Sequence, residues 1–273
     1  MIIDLHTHTT ASDGELTPQE LIGRAEQLGV DMLAITDHDS IDGLQAVIDR
    51  PSTVALVPGV ELSCVWGRQL IHVVGLAIAT GSPVLTAGLD SQQQARLRRA
   101  ELIAEKLERY GFLGAYEYAA GLAGEGQIGR PHFARFLVEC GHVNSEKQAF
   151  KKFLGAGKPC DIKLTWPALD VVVSWIRESG GIAVLAHPLH YKMTNTRLGA
   201  LTADFREAGG RALEVVSGRQ PDDRTRMLAS LASRFELLAS VGSDFHRPGM
   251  GWNELGQMGE LPKSCLPVWS AWD

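Results

Sequence analysis

The first apolar run of the chain gives way to His6-Thr7-His8, with Asp13 five residues on. Side chains alternate along extended backbone, so His6 and His8 project to one side and can reach a single cation at about 2.0–2.1 Å. A lone His-x-His pair is common by chance, but this one has company. Thr36-Asp37-His38-Asp39 follows a second apolar run, and Pro58-Gly59-Val60-Glu61 closes a third. Ala186-His187-Pro188 ends a fifth and Gly242-Ser243-Asp244-Phe245-His246 a seventh. His72 lies inside the fourth run and must point out of it to join the others. Six histidines and three carboxylates in equivalent settings fit a metal centre far better than scattered hydrogen-bonded histidines. His142 and His190 lack that setting and read as ordinary hydrogen-bonded histidines. Imidazole and carboxylate donors without thiolate suit manganese, iron or zinc.

The elements that must position these residues are short, β-branched and mostly continuously apolar, as buried strands are. They are Ile2–Leu5, Met32–Thr36, Val54–Val60, Leu70–Ile78, Ile182–Ala186, Ala212–Ser217 and Leu237–Val241. Helical patterns alternate with them. Thr17-Pro18-Gln19-Glu20 is a capping box with proline at the first helical position, and Gly29 supplies a stop. Ser40 is a candidate cap for a helix over Ser40–Arg50, Thr165 for a later one, and Gln220–Phe235 is amphipathic. Strand–helix–strand repetition predicts a parallel sheet, open or closed into a barrel. A barrel gathers its C-terminal strand ends on one face, where potential ligands then collect.

From about Ser91 to Pro159 the rhythm breaks. Ser91–Tyr110 reads as one long polar helix, followed by helical patterns at Arg130–Cys140 and Ser145–Leu154, with no strand. Residues 91–160 carry 11 basic against seven acidic side chains, a balance of +4 that leaves −10 for the remainder of a chain whose net charge is −6. The pattern predicts a basic helical insertion (91–160) on an acidic α/β body (1–90 and 161–273), with Arg96–Arg99 as a solvated helix face. The mild acidity, with a pI near 5.9, argues against stable binding of duplex nucleic acid. The start has no basic n-region or apolar h-region, no run approaches the ~20 residues of a membrane span, and Cys64, Cys140, Cys160 and Cys265 are scattered. A cytoplasmic protein is expected. Trp269 and Trp272 near the end either cap the barrel base or mediate association.

The series His-x-His plus Asp13, Thr-Asp-His-Asp, Pro-Gly-x-Glu, an internal strand histidine, Ala-His-Pro and a closing Asp-x-His resembles the PHP (polymerase and histidinol phosphatase) superfamily over nearly the whole chain. Gly129-Arg130-Pro131-His132, Gly157-Lys158-Pro159 and Ser243-Asp244-Phe245-His246-x-Pro248-Gly249 resemble its bacterial branch of 3′,5′-nucleoside bisphosphate phosphatases and 5′→3′ exoribonucleases. The resemblance implies a distorted seven-stranded (β/α) barrel, the PHP fold, holding three divalent cations, manganese first, with iron or zinc as alternatives. It implies His6, His8, Glu61 and Asp244 around one cation. Glu61 bridges to a second that takes His72 and His187, and Asp13, His38 and His246 hold the third. Three dications against three carboxylates leave about +3 at the mouth, a field that favours a phosphate dianion over a neutral peptide.

The expected reaction is hydrolysis of a phosphoester by a hydroxide held between two cations, with no GxSxG nucleophile elbow in the chain. Asp37 and Asp39 flank His38 and are candidates to orient it or carry a proton; Asp39 is equally a candidate helix cap. Arg130 and His132 are the first candidates for substrate. The guanidinium would fork onto a phosphate remote from the metals and the imidazole would protonate the leaving alkoxide. Lys158 and Ser63 are weaker candidates. The substrate expected is a nucleoside 3′,5′-bisphosphate that loses its 3′-phosphate. A 5′→3′ exoribonuclease on short 5′-phosphorylated RNA is the nearest alternative, then a histidinol-phosphate phosphatase, then a non-catalytic metal-binding module.

Overall fold

A computed structural model describes residues 1–124, 126–162, 166–249 and 251–272. In chain order its elements are β1 (Ile3–Asp4), α1 (Pro18–Gln27), β2 (Met32–Ile35), α2 (Asp42–Gln45), β3 (Ala55–Trp66) and β4 (Gln69–Leu76). There follow α3 (Pro83–Arg109), α4 (Ala115–Ala123), α5 (Arg130–Glu139), α6 (Glu146–Ala149, continuing as one π-helical turn to Leu154) and α7 (Leu169–Glu178). The last elements are β5 (Ile182–Leu185), α8 (Asn195–Glu207), β6 (Ala212–Ser217), α9 (Asp222–Arg234) and β7 (Leu238–Gly242).

The seven strands form one sheet in sequence order. Its edges meet where the Leu5 N–H donates to Val241 O (3.1 Å), the Asp244 N–H to His6 O (2.9 Å), and Thr7 bridges Phe245. The sheet is therefore a nearly closed barrel, as the resemblance implies. One strand departs from the parallel expectation: β4 is antiparallel to both β3 and β5. The third strand does not stop at Val60 but runs on to Trp66 and turns back at Gly67 as a hairpin. That reversal explains His72. A strand running the other way presents its N-terminal half to the mouth, so its ligand must lie inside the strand.

The helix signals fare unevenly. At α1 the Glu20 N–H donates to Thr17 Oγ1 and the Thr17 N–H to the Glu20 carboxylate, with Pro18 in the first turn and Gly29 past the end at φ +71°. The helix expected over Ser40–Arg50 shrinks to α2, where Ser40 Oγ accepts the Asp42 N–H (3.0 Å) one residue ahead of the cap position. Thr165 lies outside the described residues, and α7 begins after Ala168. The polar helix expected from Ser91 starts at Pro83, because Leu85 and Leu89 pack on the barrel core. Gly88 allows this: a Cβ there would stand 2.6 Å from the Trp175 ring of α7.

Hydrophobic residues from Ala100 to Cys160 make a core of their own, separate from the barrel core. Residue 91, the expected boundary, lies within α3, whose first turns pack on the barrel core and whose last turns pack on the second core. At the other end Val268 is buried, Trp269 and Trp272 pack against the barrel core, and the Ala239 N–H donates to Leu266 O (2.8 Å). The tail lies against the start of β7, the end remote from the mouth. Among the described residues, no helix is long and apolar enough to cross a membrane.

Candidate metal centre

At the C-terminal end of β1, alternation turns His6 and His8 to the same side, as their spacing requires. β7 can approach this closely because Gly242 has no side chain; a Cβ there would meet that of His6 at 2.3 Å. Glu61 stands at the middle. Five imidazole nitrogens lie near its two oxygens: His38 and His187 at 2.8 Å, His72 at 3.0 Å, His6 at 3.3 Å and His8 at 3.4 Å. Asp244 Oδ1 is 3.3 Å from His8 and 3.6 Å from His6 and His246. Asp13 is 3.3 Å from His246, 3.8 Å from His38 and 3.9 Å from His8. All nine residues expected as ligands meet in one cluster. Asp244 and His187 sit there at φ +54° and +26°, a left-handed backbone held by the surrounding structure.

These contacts are close, yet many are not hydrogen bonds. His6 Nε2, both ring nitrogens of His8, Asp13 Oδ1, His38 Nδ1, Glu61 Oε2 and His187 Nδ1 are buried with no hydrogen-bond partner. So many stranded polar atoms in one place cost several kcal/mol unless something satisfies them. Donors bound to one cation at about 2.1 Å sit roughly 3–3.5 Å apart, the spacing found between many of these atoms. Three or four donors at a time come within 4.8 Å of one another, as in His8–Asp13–His38–His246, His6–His8–Glu61 and His38–Glu61–His72. The residues fit divalent cations.

The electrostatics agree. Burial would raise Glu61, but His38, His72 and His6 overcome it and hold the carboxyl well below its ordinary range. Burial pushes His8 down to about 3 and His72 to about 4, so both keep a neutral ring with a free lone pair. Against burial, Asp13 and Asp244 raise His246 to about 10.

Sequence reasoning missed Glu214. A bulge in β6 between Glu214 and Val216 lets it accept His6 Nδ1–H (3.0 Å) and the His187 N–H (2.8 Å), which fixes His6 with Nε2 free to ligate. A single carboxylate inside the apolar run Ala212–Ser217 was the available signal. The same signal marks Asp4, which accepts the Ser243 and Gly256 N–H groups and is pushed up to about 6 by burial. His190, expected to be an ordinary hydrogen-bonded histidine, stands at the mouth with its ring 4.9 Å from that of His187.

The candidates flanking His38 face elsewhere. Asp37 accepts the Thr9 N–H (2.8 Å), Thr9 Oγ1–H (2.7 Å) and Ser12 Oγ–H (2.6 Å), so it holds the loop that carries Asp13. Asp39 caps no helix. It accepts Arg96 Nε–H (2.6 Å), the Ser63 N–H (2.7 Å) and Gln92 Nε2–H (3.0 Å). Arg96 also donates to Ser63 Oγ (3.1 Å), which removes Ser63 from the cavity wall.

A cavity of about 990 Å³ opens over the cluster, lined by His38, Glu61, His72, His187, Asp244 and His246 on the barrel side. Arg99, Arg130 and Gly157 line it from the helical segment 91–160, and Asp161 and Ile162 from just beyond it. Arg96 and Arg99 are therefore not the solvated face expected of them; both are only 9% exposed, and both guanidinium groups stack on buried Trp166, at 5.5 and 5.7 Å. Arg99 Nε has no hydrogen-bond partner, and burial together with Arg130 and Arg96 pushes the group down to about 9. A guanidinium does not deprotonate at neutral pH, so this marks a buried charge that Asp161 on the cavity wall and Asp39 offset only in part. Arg130 is shifted the same way by burial. Neither of the other two candidates in this segment, His132 and Lys158, lines the cavity. His132 is buried with Nδ1 accepting the Gly129 N–H (2.9 Å), and Lys158 is exposed.

Comparison with known proteins agrees with this chemistry. The PHP domain family matches residues 4–121. A 5′-3′ exoribonuclease, Rnm, of Escherichia coli is 45% identical over 100% of this chain and 94% of its own. A 3′,5′-nucleoside bisphosphate phosphatase of Chromobacterium violaceum is 42% identical over 98% and 95%. A solved structure described as an amidohydrolase from Chromobacterium violaceum, with bound sulfate and no metal, superposes with a TM-score of 0.91 at 40% identity, covering 99% of this chain and 95% of that one. The chain belongs to the PHP family and is a phosphoric ester hydrolase.

Proposed function

We propose that the chain is a cytoplasmic enzyme that hydrolyses the 3′-phosphate of nucleoside 3′,5′-bisphosphates. Three divalent cations, manganese first, would be held by His6, His8, Glu61 and Asp244, by Glu61, His72 and His187, and by Asp13, His38 and His246. One observation carries this reading. The Arg99 and Arg130 guanidinium groups, both desolvated and offset only in part by Asp161 on the same wall, share a cavity with a cluster built for cations, and Arg99 Nε has no hydrogen-bond partner. A substrate with two phosphates satisfies both. Arg99 and Arg130 grip the 5′-phosphate bidentately while the 3′-phosphate lies over the cluster. The insertion, residues 91–160, thereby serves as the anchoring wall of the mouth. Divalent cations, when bound, supply a water of lowered pKa and neutralise the phosphoryl oxygens. The chain's own part is to fix phosphorus against that water: Glu214 aligns His6, Asp37 holds the Asp13 loop, and Asp39 docks Arg96. Water oxygen bonds to phosphorus, the P–O3′ bond breaks, and O3′ leaves with a proton. Sulfate in the Chromobacterium structure, a tetrahedral analogue of phosphate, supports an oxyanion ligand.

The second reading, a 5′→3′ exoribonuclease, is favoured by the cavity volume, at the top of the range for small-ligand pockets. The same P–O3′ bond breaks in both. Only the far oxygen differs: free in the bisphosphate, esterified to the next nucleotide in RNA. The test is phosphate or mononucleotide release from adenosine 3′,5′-bisphosphate, adenosine 5′-monophosphate and a 5′-phosphorylated oligonucleotide, with manganese present. Turnover of the first and not the second is expected, and loss of all three would refute the reading. Arg99→Ala and Arg130→Ala should each raise KM for the bisphosphate about 10- to 100-fold with metal content retained; an unchanged KM would remove the anchor.

A further inference from the structure

A third guanidinium lines the cavity and has no part in the anchoring wall. Arg68 stands at the tip of the β3–β4 hairpin, beside Gly67, whose φ of +60° makes the turn. Among the described residues, none gives its side chain an ion-pair or hydrogen-bond partner. The exposed residues on the cavity rim are Gly67, Arg68, Ala156, Gly157 and His190, and of these Arg68 alone carries a permanent positive charge. The same hairpin offers half-buried Val65 and Leu70 to the cavity.

A nucleoside 3′,5′-bisphosphate ends at the phosphorus being attacked, so it leaves this rim untouched. An oligonucleotide does not end there. The same phosphorus carries O5′ of the next nucleotide, and the remaining chain must leave over an exposed part of the rim with its next phosphodiester near the surface. We propose that the β3–β4 hairpin is the subsite for the second nucleotide of a 5′-phosphorylated oligonucleotide. Arg68 takes the phosphodiester that follows the scissile one, and Val65 and Leu70 support the base or sugar. The assignment rests on the reading of the cluster as a phosphoesterase with a 5′-phosphate anchor. In the step, water oxygen bonds to phosphorus, the P–O3′ bond breaks, and O3′ takes the proton. The water oxygen thus becomes part of the 5′-phosphate of the shortened chain, which can enter the same anchor.

The test compares metal-loaded wild type with Arg68→Gln and Arg68→Lys on adenosine 3′,5′-bisphosphate and on a 5′-phosphorylated RNA pentamer. Arg68→Gln should lower the ratio of kcat/KM, pentamer over bisphosphate, about tenfold, as loss of one charge-assisted contact does. Arg68→Lys should restore most of that ratio. The salt dependence of pentamer binding should become shallower in Arg68→Gln by about 0.7 in the log–log slope, the share of one single-strand phosphate contact. An unchanged ratio, or a wild type that hydrolyses the bisphosphate and not the pentamer, overturns the hairpin subsite and leaves the phosphatase standing. A wild type that hydrolyses neither overturns the phosphoesterase reading itself.

Discussion

Glu61 has two oxygens and five imidazole neighbours, an arrangement stable only with positive charge among them. Glu214 sets how one of those rings faces the centre. Without it, His6 Nδ1 loses its acceptor and the His187 N–H is stranded. Glu214→Gln should therefore weaken cation binding by about 10- to 100-fold while the fold persists, as read by metal titration calorimetry. All nine ligand candidates were legible in the sequence because each follows or interrupts an apolar run, and metal chemistry uses few residue types. The residues that serve them were not. Asp39 flanks a ligand histidine and looks chemical, yet its carboxylate is committed to Arg96 and Gln92, residues more than fifty positions away that no local pattern connects. His132 carries the motif Gly-Arg-Pro-His but spends its ring on a helix start.

At the scale of elements, seven strands could be read from apolar runs, and the direction of one could not. Polar Glu61 and Ser63 made β3 look finished at Val60, and the turn at Gly67 carried little signal against the expectation of a helical crossover. Pairing across the hairpin, from Gly59 with Leu76 to Trp66 with Gln69, supplies what the run lacked. The start of α3 was hidden for a related reason. Gly88 and Asp90 resemble a loop in sequence, and only contact with Trp175 gives Gly88 its purpose. Gly88→Ala should cost about 1–3 kcal/mol by overpacking against that ring, measurable as a lower midpoint in urea at constant m-value. The guanidinium groups of Arg96 and Arg99 were unreadable as buried groups because charge on a helix usually means solvent; Asp39 and Trp166 reverse that.

For the molecule as a whole, the cluster makes stability and loading one property. Cations that bind the folded chain and satisfy its stranded donors raise Tm as their concentration rises. Chelation should lower Tm and abolish hydrolysis, and added manganese should restore both. Protons compete for the same sites. His246, raised to about 10 beside Asp13 and Asp244, is charged at neutral pH in the cation-free chain and must lose its proton to ligate. Cation affinity should then rise with pH toward about 10, with protons released on loading; calorimetry in buffers of different ionisation enthalpy reads that number, and a release of zero at pH 7 would contradict it. His8 and His72, at about 3 and 4, contribute nothing to this release above pH 5.

The 27-residue α3 reaches from barrel to insertion without interruption. At 1.5 Å per residue it is a rod about 40 Å long, and a tilt of about five degrees at one end would swing the other by roughly 3–4 Å. Gln92 and Arg96 bolt that rod to the barrel near its middle, just ahead of Arg99. Arg99, one of the two arginines of the proposed phosphate anchor, is thus close to the fulcrum, where a lever moves least. A tilt of the outer helices would then widen the mouth while the spacing between Arg99 and the cluster, which on the proposed reading sets how far apart two phosphates must be, stays fixed like the jaws of a gauge.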